Sequence, residues 1–445
     1  MVRPEWRLPP SPFASASDRS QHVSMSSRST TSLESSGSDF LAESIHHNVR
    51  NMFVQNLLAQ IAFVVDKMSL RNAPASLVAF CGKATAYAFF FCPGVADILV
   101  RLWATPPDRV RRVLEEYGIA RNTDLGCTPD ATVSEFPPCL HSLAFKSFHS
   151  LKQKLRKQPP LPLGAASIPW HGYWVGRWCG RDSDLFFVFT KYYHFLLSEF
   201  LPGEAGSRER VYAPGLVLVH AQILTILDST IHRQSGPVQT DLPNGPSAAT
   251  FDDVLTGADA SAAALPLPPA SITRTMAENR LILLLRDVLS DSSSDLHSSR
   301  KLFAEAFSDL LRAAARRTSL FDHNACFTLC DFMEEAITIL ARYHHITESP
   351  TSLIDWPFWL EVCKQMVASQ NSMTKIRLFA FLYGVWNIIT ADEQRKRDLC
   401  LGWLLSEDCF LEHFNHWCPM VRSYFMRLLC WRLARYDGEA SEVDL

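Results

Sequence analysis

Apolar residues recur along most of this chain at the spacing of helix faces. From Phe40 onward, Phe53, Leu57, Ile61, Val64 and Met68 fall three or four positions apart, and Val54, Leu58, Ala62 and Val65 make a second stripe beside the first. A helix apolar over so wide a face needs neighbours on two sides. Residues 73–103 continue as apolar helices broken at Pro74 and Pro93-Gly94, and Pro106-Pro107 opens RVRRVLEEYG, which closes at Gly118 as a C-terminal glycine does. Helices are also predicted at 183–200, capped by Asp182 or Ser183, and at 214–232, opened by Pro214. After the middle of the chain the pattern gives consecutive helices at about 272–289, 299–318, 323–346, 355–370, 373–389, 392–404, 407–417 and 419–437. Asp355 with Pro357 in its first turn, Thr390 with Glu393 as a capping box, and a terminal Gly438 punctuate them. No strand-like alternation has comparable strength.

Three stretches lack this periodicity. Residues 1–39 hold twelve serines and few large apolar side chains, too little burial to offset the entropy of ordering, and are expected to be a disordered tail. Residues 119–182 are proline-rich and contain the cluster WHGYWVGRWCGRD, Trp170 to Asp182. Residues 234–271 carry six prolines and four aspartates without a Lys or Arg, and read as a flexible acidic loop. The organisation expected is a tail (1–39), an N-terminal helical half (40–232), a loop (233–271), a C-terminal helical half (272–438) and a short tail (439–445). Within the last half, KIRLFAFLYGVW (375–386) echoes MVRSYFMRLLCW (420–431) at an offset of 45 residues. That is the period of HEAT and armadillo helical hairpins, so the fold class predicted is all-α, a solenoid-like stack.

Composition narrows the function. With 43 Lys+Arg against 46 Asp+Glu the net charge is −3, which gives no global footprint for nucleic acid. The two most apolar runs, ATAYAFFFCPGVA and GLVLVHAQILTIL, are 13 residues each, short of the roughly 20 a bilayer-spanning helix needs. Twelve cysteines without a CxxC pair, in a chain of this size, read as free thiols in a reducing compartment. The expected setting is the cytoplasm, with a position peripheral to a membrane as the alternative.

The candidate chemistry is sparse. Cys409, His413 and His416 share a helical face, but a structural zinc site wants four ligands, and Cys418 is separated from them by the break before Pro419; no metal ligands are assigned. Cys326 and Cys330 lie one turn apart beside His323, without a base that sequence can demonstrate. Gly82-Lys83 is followed by Ala84-Thr85, yet Leu77 stands where a phosphate-binding loop needs its first glycine. No catalytic or cofactor residues are assigned.

Two basic groups are candidates for interaction. Residues 143–157 carry Lys146, Lys152, Lys154, Arg156 and Lys157 with no acid, and Phe148, Leu151 and Leu155 on one face; this amphipathic element suits an anionic membrane surface or an acidic partner. In HFNHWCPMVRSYFMRLLCWRLARYDG, the arginines Arg422, Arg427 and Arg432 project from a helix that is otherwise nearly all apolar. They are expected to pin neighbouring helices through Asp398, Glu407, Asp408 or Glu412.

Residues 46–103, 177–196, 216–233 and 414–438 resemble a fungal family catalogued as domain of unknown function 1765, also called UPF0592. The resemblance implies a helical, armadillo-like domain, no established catalytic activity, and a membrane label on some members. The functional expectation is a non-enzymatic scaffold whose partners are other proteins. The alternative is recruitment to membranes through 143–157, and a third reading is a thiol- or metal-dependent enzyme.

Overall fold

The computed structural model describes residues 35–119, 131–162, 164–202, 205–232, 276–290, 296–347 and 352–435. The expected acidic loop, the C-terminal tail with Gly438, and residues 1–34 of the expected N-terminal tail lie outside them. Among the described residues every regular element is helical, and no helix is long and apolar enough to cross a membrane.

The first helix, α1 (Ser35–Ser69), begins inside the stretch expected to be tail, because Ser35 to Asp39 hold no apolar residue to signal a helix. Next come α2 (Ala75–Phe91), α3 (Val95–Leu102) and α4 (Pro107–Glu116). The breaks fall where Pro74 and Pro93-Gly94 placed them, and Gly94 starts α3 in the left-handed region that suits glycine. Gly118, also at positive φ, ends α4, with the Ile119 N–H returning to the Leu114 carbonyl at 2.9 Å. The proline-rich interval yields α5 (Ala131–Ser134), a 3₁₀ turn (Pro138–Leu143), α6 (Phe148–Arg156) and α7 (Tyr173–Trp178). The half ends with α8 (Leu185–Ser198), α9 (Ser207–Tyr212) and α10 (Leu216–Ile231).

Aromatic packing explains why α2, α7 and α8 meet. Trp178 on α7 stacks on Trp103 at 5.2 Å between centroids and meets Phe189 of α8 edge-on at 4.7 Å. Phe89 and Phe90 of α2 reach Tyr193 of α8 at 5.5 Å. The tryptophan-rich cluster is thus core: Trp174 and Trp178 are buried, and their indole N–H groups donate to the carbonyls of Pro169 and Leu99.

The C-terminal half comprises α11 (Arg280–Ser290), α12 (His297–Arg317), α13 (His323–Thr347), α14 (Trp356–Val367), α15 (Ser372–Gly384), α16 (Trp386–Ile389), α17 (Glu393–Leu399), α18 (Glu407–Phe414) and α19 (Pro419–Leu428). A π-turn follows α17 at Cys400–Leu404 and another follows α19 at Leu429–Leu433. Here α11, α13, α15 and α19 pack one against the next, while α14 and α18 lie against α15 and α19. Alternate helices succeeding one another is consistent with stacked hairpins, and the two echoed segments, on α15 and α19, are adjacent rungs.

The N-terminal half is less sequential. Helix α2 packs on α8, α4 on α10, and α12 reaches back to α4, α8 and α10. A single apolar core therefore runs from Leu57 to Leu429 through both halves.

Several caps differ from expectation. Asp392 caps α17 by accepting from the Arg395 N–H at 2.9 Å, whereas the Thr390 hydroxyl bonds back to the Trp386 carbonyl in the preceding turn. Asp184 occupies the α8 N-cap, and the Ser183 hydroxyl accepts from the Leu185 N–H at 3.3 Å. Asp355 caps α14 as expected, accepting from the Phe358 N–H at 3.2 Å.

Candidate interaction surfaces

The basic element divides in two. Residues up to Leu143 form the 3₁₀ turn, and the amphipathic helix proper is α6, capped by Ser147, whose hydroxyl accepts from the Ser150 N–H at 3.2 Å. Its apolar face packs against the body through Phe148, Leu151 and Leu155. Lys154 is taken up in holding α6 to α3: its Nζ lies 2.7 Å from Asp97 and also donates to the Ser142 carbonyl. The Arg101 guanidinium donates to the Lys157 carbonyl at the end of the same helix. The side chains of Lys146, Lys152, Arg156 and Lys157 are exposed and meet no acid among the described residues. Four of the five predicted cations therefore remain free for a ligand or surface.

Between α6, the end of α3 and the start of α4 lies a half-open pocket of about 260 Å³. Its walls are largely apolar, with Arg101, Lys152 and Arg156 along them.

The arginines near the C-terminus bond differently from the expectation. Arg422 donates to the carbonyls of His416 (2.6 Å) and Trp417 (3.3 Å), Arg427 lies over the Tyr424 ring, and Arg432 lies over the Tyr383 ring while donating to its carbonyl at 3.1 Å. None pairs with Asp398, Glu407, Asp408 or Glu412 among the described residues; Glu412 instead holds Lys375 at 2.6 Å. Chain carbonyls left open at helix ends supply the acceptors that acids were expected to supply. Arg422 straps the turn before α19, and Arg432 ties the last π-turn to α15.

The ion pairs that cross the fold lie elsewhere. Asp228 on α10 is buried and meets Arg112 at 2.5 Å and Arg109 at 2.8 Å, both from α4, and Arg317 from α12 at 3.3 Å. Arg377 of α15 pairs with Asp331 and Glu334 of α13 at 2.5 and 2.7 Å. Helix periodicity gave no sign that Arg109 and Arg112 of RVRRVLEEYG join such a cluster, since Asp228 is more than a hundred residues away.

Several histidines and thiols sit in the core. His413 Nδ1 donates to the Cys409 carbonyl at 2.7 Å, and the Cys418 N–H donates to His416 Nδ1 at 3.1 Å. No group of three or more His, Cys, Asp and Glu among the described residues is placed to hold a metal ion. Burial pushes the thiol of Cys326 up to about 11 and that of Cys363 to about 12, and Cys330 well above its ordinary value. Such thiols stay protonated at neutral pH, so they lack the thiolate that nucleophilic chemistry needs. Deeper in the N-terminal half, the Tyr117 hydroxyl meets His220 Nδ1 at 2.5 Å, His220 Nε2 meets His194 Nε2 at 3.0 Å, and His194 Nδ1 bonds the Thr190 carbonyl at 2.8 Å. All three side chains are buried.

Large apolar side chains gather on the surface of the last helices: Leu401, Leu405, Leu411, Phe414, Trp417 and Trp431 are exposed. The echo gives this meaning. Trp386 and Trp431 hold the same place in successive rungs, yet Trp386 is 6% exposed and Trp431 61%. The first is buried, and the second is left open by the described residues.

Among the described residues the body is all-helical, with the basic helix α6 on its surface and exposed aromatic side chains on its last helices. Residues 307–433 match the family described as "Protein of unknown function (DUF1765)". The chain is also similar to a protein of Schizosaccharomyces pombe named a UPF0592 membrane protein, with 25% identity over 391 residues that cover 85% of this chain and 41% of the relative. The chain spans about two-fifths of the length of the curated relative it matches. No solved structure matches it.

Proposed function

We propose that this protein is a non-catalytic helical platform whose exposed aromatic surface on the last described helices binds the amphipathic helix of a partner protein. The observation that carries the reading is the contrast between Trp386 and Trp431, 6% and 61% exposed at echoed positions. Trp417, Trp431, Phe414 and Leu411 are all exposed on these last described helices. Exposed tryptophans that a facing helix can desolvate are the side chains most enriched in binding hot spots. Proximity labelling in cells with the full chain and with Trp417→Ser/Trp431→Ser tests it. A partner set lost in the variant at unchanged melting temperature supports the platform; an unchanged set removes this aromatic surface from the reading.

A second reading, recruitment to an anionic membrane surface through α6, draws on the unpaired cations Lys146, Lys152, Arg156 and Lys157. The relative's name, a UPF0592 membrane protein, points the same way. Flotation with liposomes containing anionic lipid, abolished by 0.5 M salt and by neutralising those four residues, is the expected result. Flotation that is insensitive to both changes would dispose of it.

A further inference from the structure

We infer that the pocket beneath α6 is a binding site for a small anionic amphiphile, a short acyl chain or aryl group bearing a carboxylate or phosphate. Three observations converge on it.

The cavity, about 260 Å³, lies a little below the range usual for drug-sized ligands, which suits a short hydrocarbon chain and not a large cofactor. Val100, Val110, Leu151 and Leu155 form its apolar walls.

Three cations stand along the cavity: Arg101, Lys152 and Arg156. Lys152 and Arg156 are one turn apart on α6, in line with Phe148, so charge and apolar surface share a single face. Neither of these two has an ion-pair partner among the described residues. The nearby carboxylates are already engaged, Asp97 by Lys154 at 2.7 Å and Asp108 by Arg109 at 3.0 Å. A cationic rim over an apolar cavity is complementary to a molecule with a negative head and a hydrocarbon tail.

The third observation is Thr105. Its side chain lines the cavity, the residue is only 7% exposed, and its hydroxyl has no hydrogen-bond partner. A buried hydroxyl left unpaired costs roughly 1–3 kcal/mol, so the fold keeps a polar atom at a disadvantage that an oxygen-bearing ligand would remove. Beside it Ala104 sits at φ 48°, a backbone region alanine rarely adopts. The sequence around these residues, WATPPD, reads only as a helix break, and nothing in it marks a pocket.

The site is independent of either reading above, because monomeric ligands in solution probe it without a partner protein or a bilayer. Isothermal titration of the full chain with octanoate, octyl phosphate, 1-octanol and acetate, all below any micelle concentration, is the test. Octanoate or octyl phosphate should saturate one site, and the two arms tell which head group is preferred. Octanol should bind at least tenfold more weakly and acetate should not saturate. Lys152→Gln/Arg156→Gln should weaken the amphiphile at least tenfold. Thr105→Val should weaken it too, without lowering the melting temperature of the ligand-free protein, since it removes an unpaired hydroxyl at constant shape. Absence of saturable binding, equal affinity for octanol, or binding indifferent to the double variant would overturn the site.

Discussion

His194 and His220 share a hydrogen bond in a fully buried setting, and their environment decides which protonation state survives. The chain is satisfied when Tyr117 donates to His220, His220 donates to His194, and His194 donates to the Thr190 carbonyl; with both rings neutral no polar atom in it is left over. Burial lowers His194 to about 4, and burial, His194 and Arg210 together hold His220 well below its ordinary value. A histidine whose folded pKa lies below its unfolded value of about 6.5 leaves stability intact above that pH. As pH falls from about 6.5 towards 4 the unfolded chain takes up protons that the folded chain refuses, so stability is lost. For His194 the loss approaches about 3 kcal/mol at pH 4. Asp309, raised to about 6 by burial despite Arg312, acts in the opposite sense and gains stability as pH falls through that value. The wild type should therefore be compared with His194→Gln: the melting temperature of the variant is expected to start lower at pH 7.5 and to fall less steeply between pH 6.5 and 4.5. Equal slopes would show that these rings do not govern the acid response.

At the scale of elements, Gly82 shows why the crossing of α2 and α8 matters more than helix propensity. A Cβ at this position would stand 2.6 Å from the Val188 Cβ and 3.0 Å from the Leu185 carbonyl oxygen. Gly82→Ala should gain up to about 1 kcal/mol in propensity. The same change overpacks the α2/α8 contact, which costs typically about 1–3 kcal/mol. The clash wins because both nearest atoms belong to rigid positions, a β-branched side chain and a backbone carbonyl. A lowered urea midpoint is the expected outcome, and a raised one would show that α8 can yield. In the sequence Gly82 drew notice as a defective phosphate loop, and its real role was invisible because Val188 lies a hundred residues away. Caps were readable where a single turn decides them, as at Asp355 and Gly118. They misled where two candidates stood close together, as at Thr390 and Asp392. Helix α6 was legible as an amphipathic run, but Ser147 starts it four residues later than the pattern proposed, because Leu143 continues the apolar stripe from a different kind of turn.

Over the whole molecule, the Asp228 cluster fastens α4, α10 and α12, so it bridges both halves of the chain. Asp228→Asn should destabilise by about 3–5 kcal/mol, because it leaves Arg109 and Arg112 largely buried and without their counter-charge. Arg317→Ala removes a cation that is about half exposed, and should cost under about 1 kcal/mol. Urea unfolding of the two variants side by side measures this; comparable losses would mean the cluster is not the fastening it resembles. The same long-range ties explain why two helical halves in the sequence become one core in the fold.

Helix type and most helix positions were determined by the sequence itself, since periodicity, prolines and caps act within one or two turns. Tertiary structure alone decided that Trp386 is buried and Trp431 exposed, that Arg109 and Arg112 converge on Asp228, and that Thr105 faces a cavity beneath α6. Each of these depends on which distant helix arrives at a given face, and a side chain's local neighbours in the chain carry no trace of that encounter.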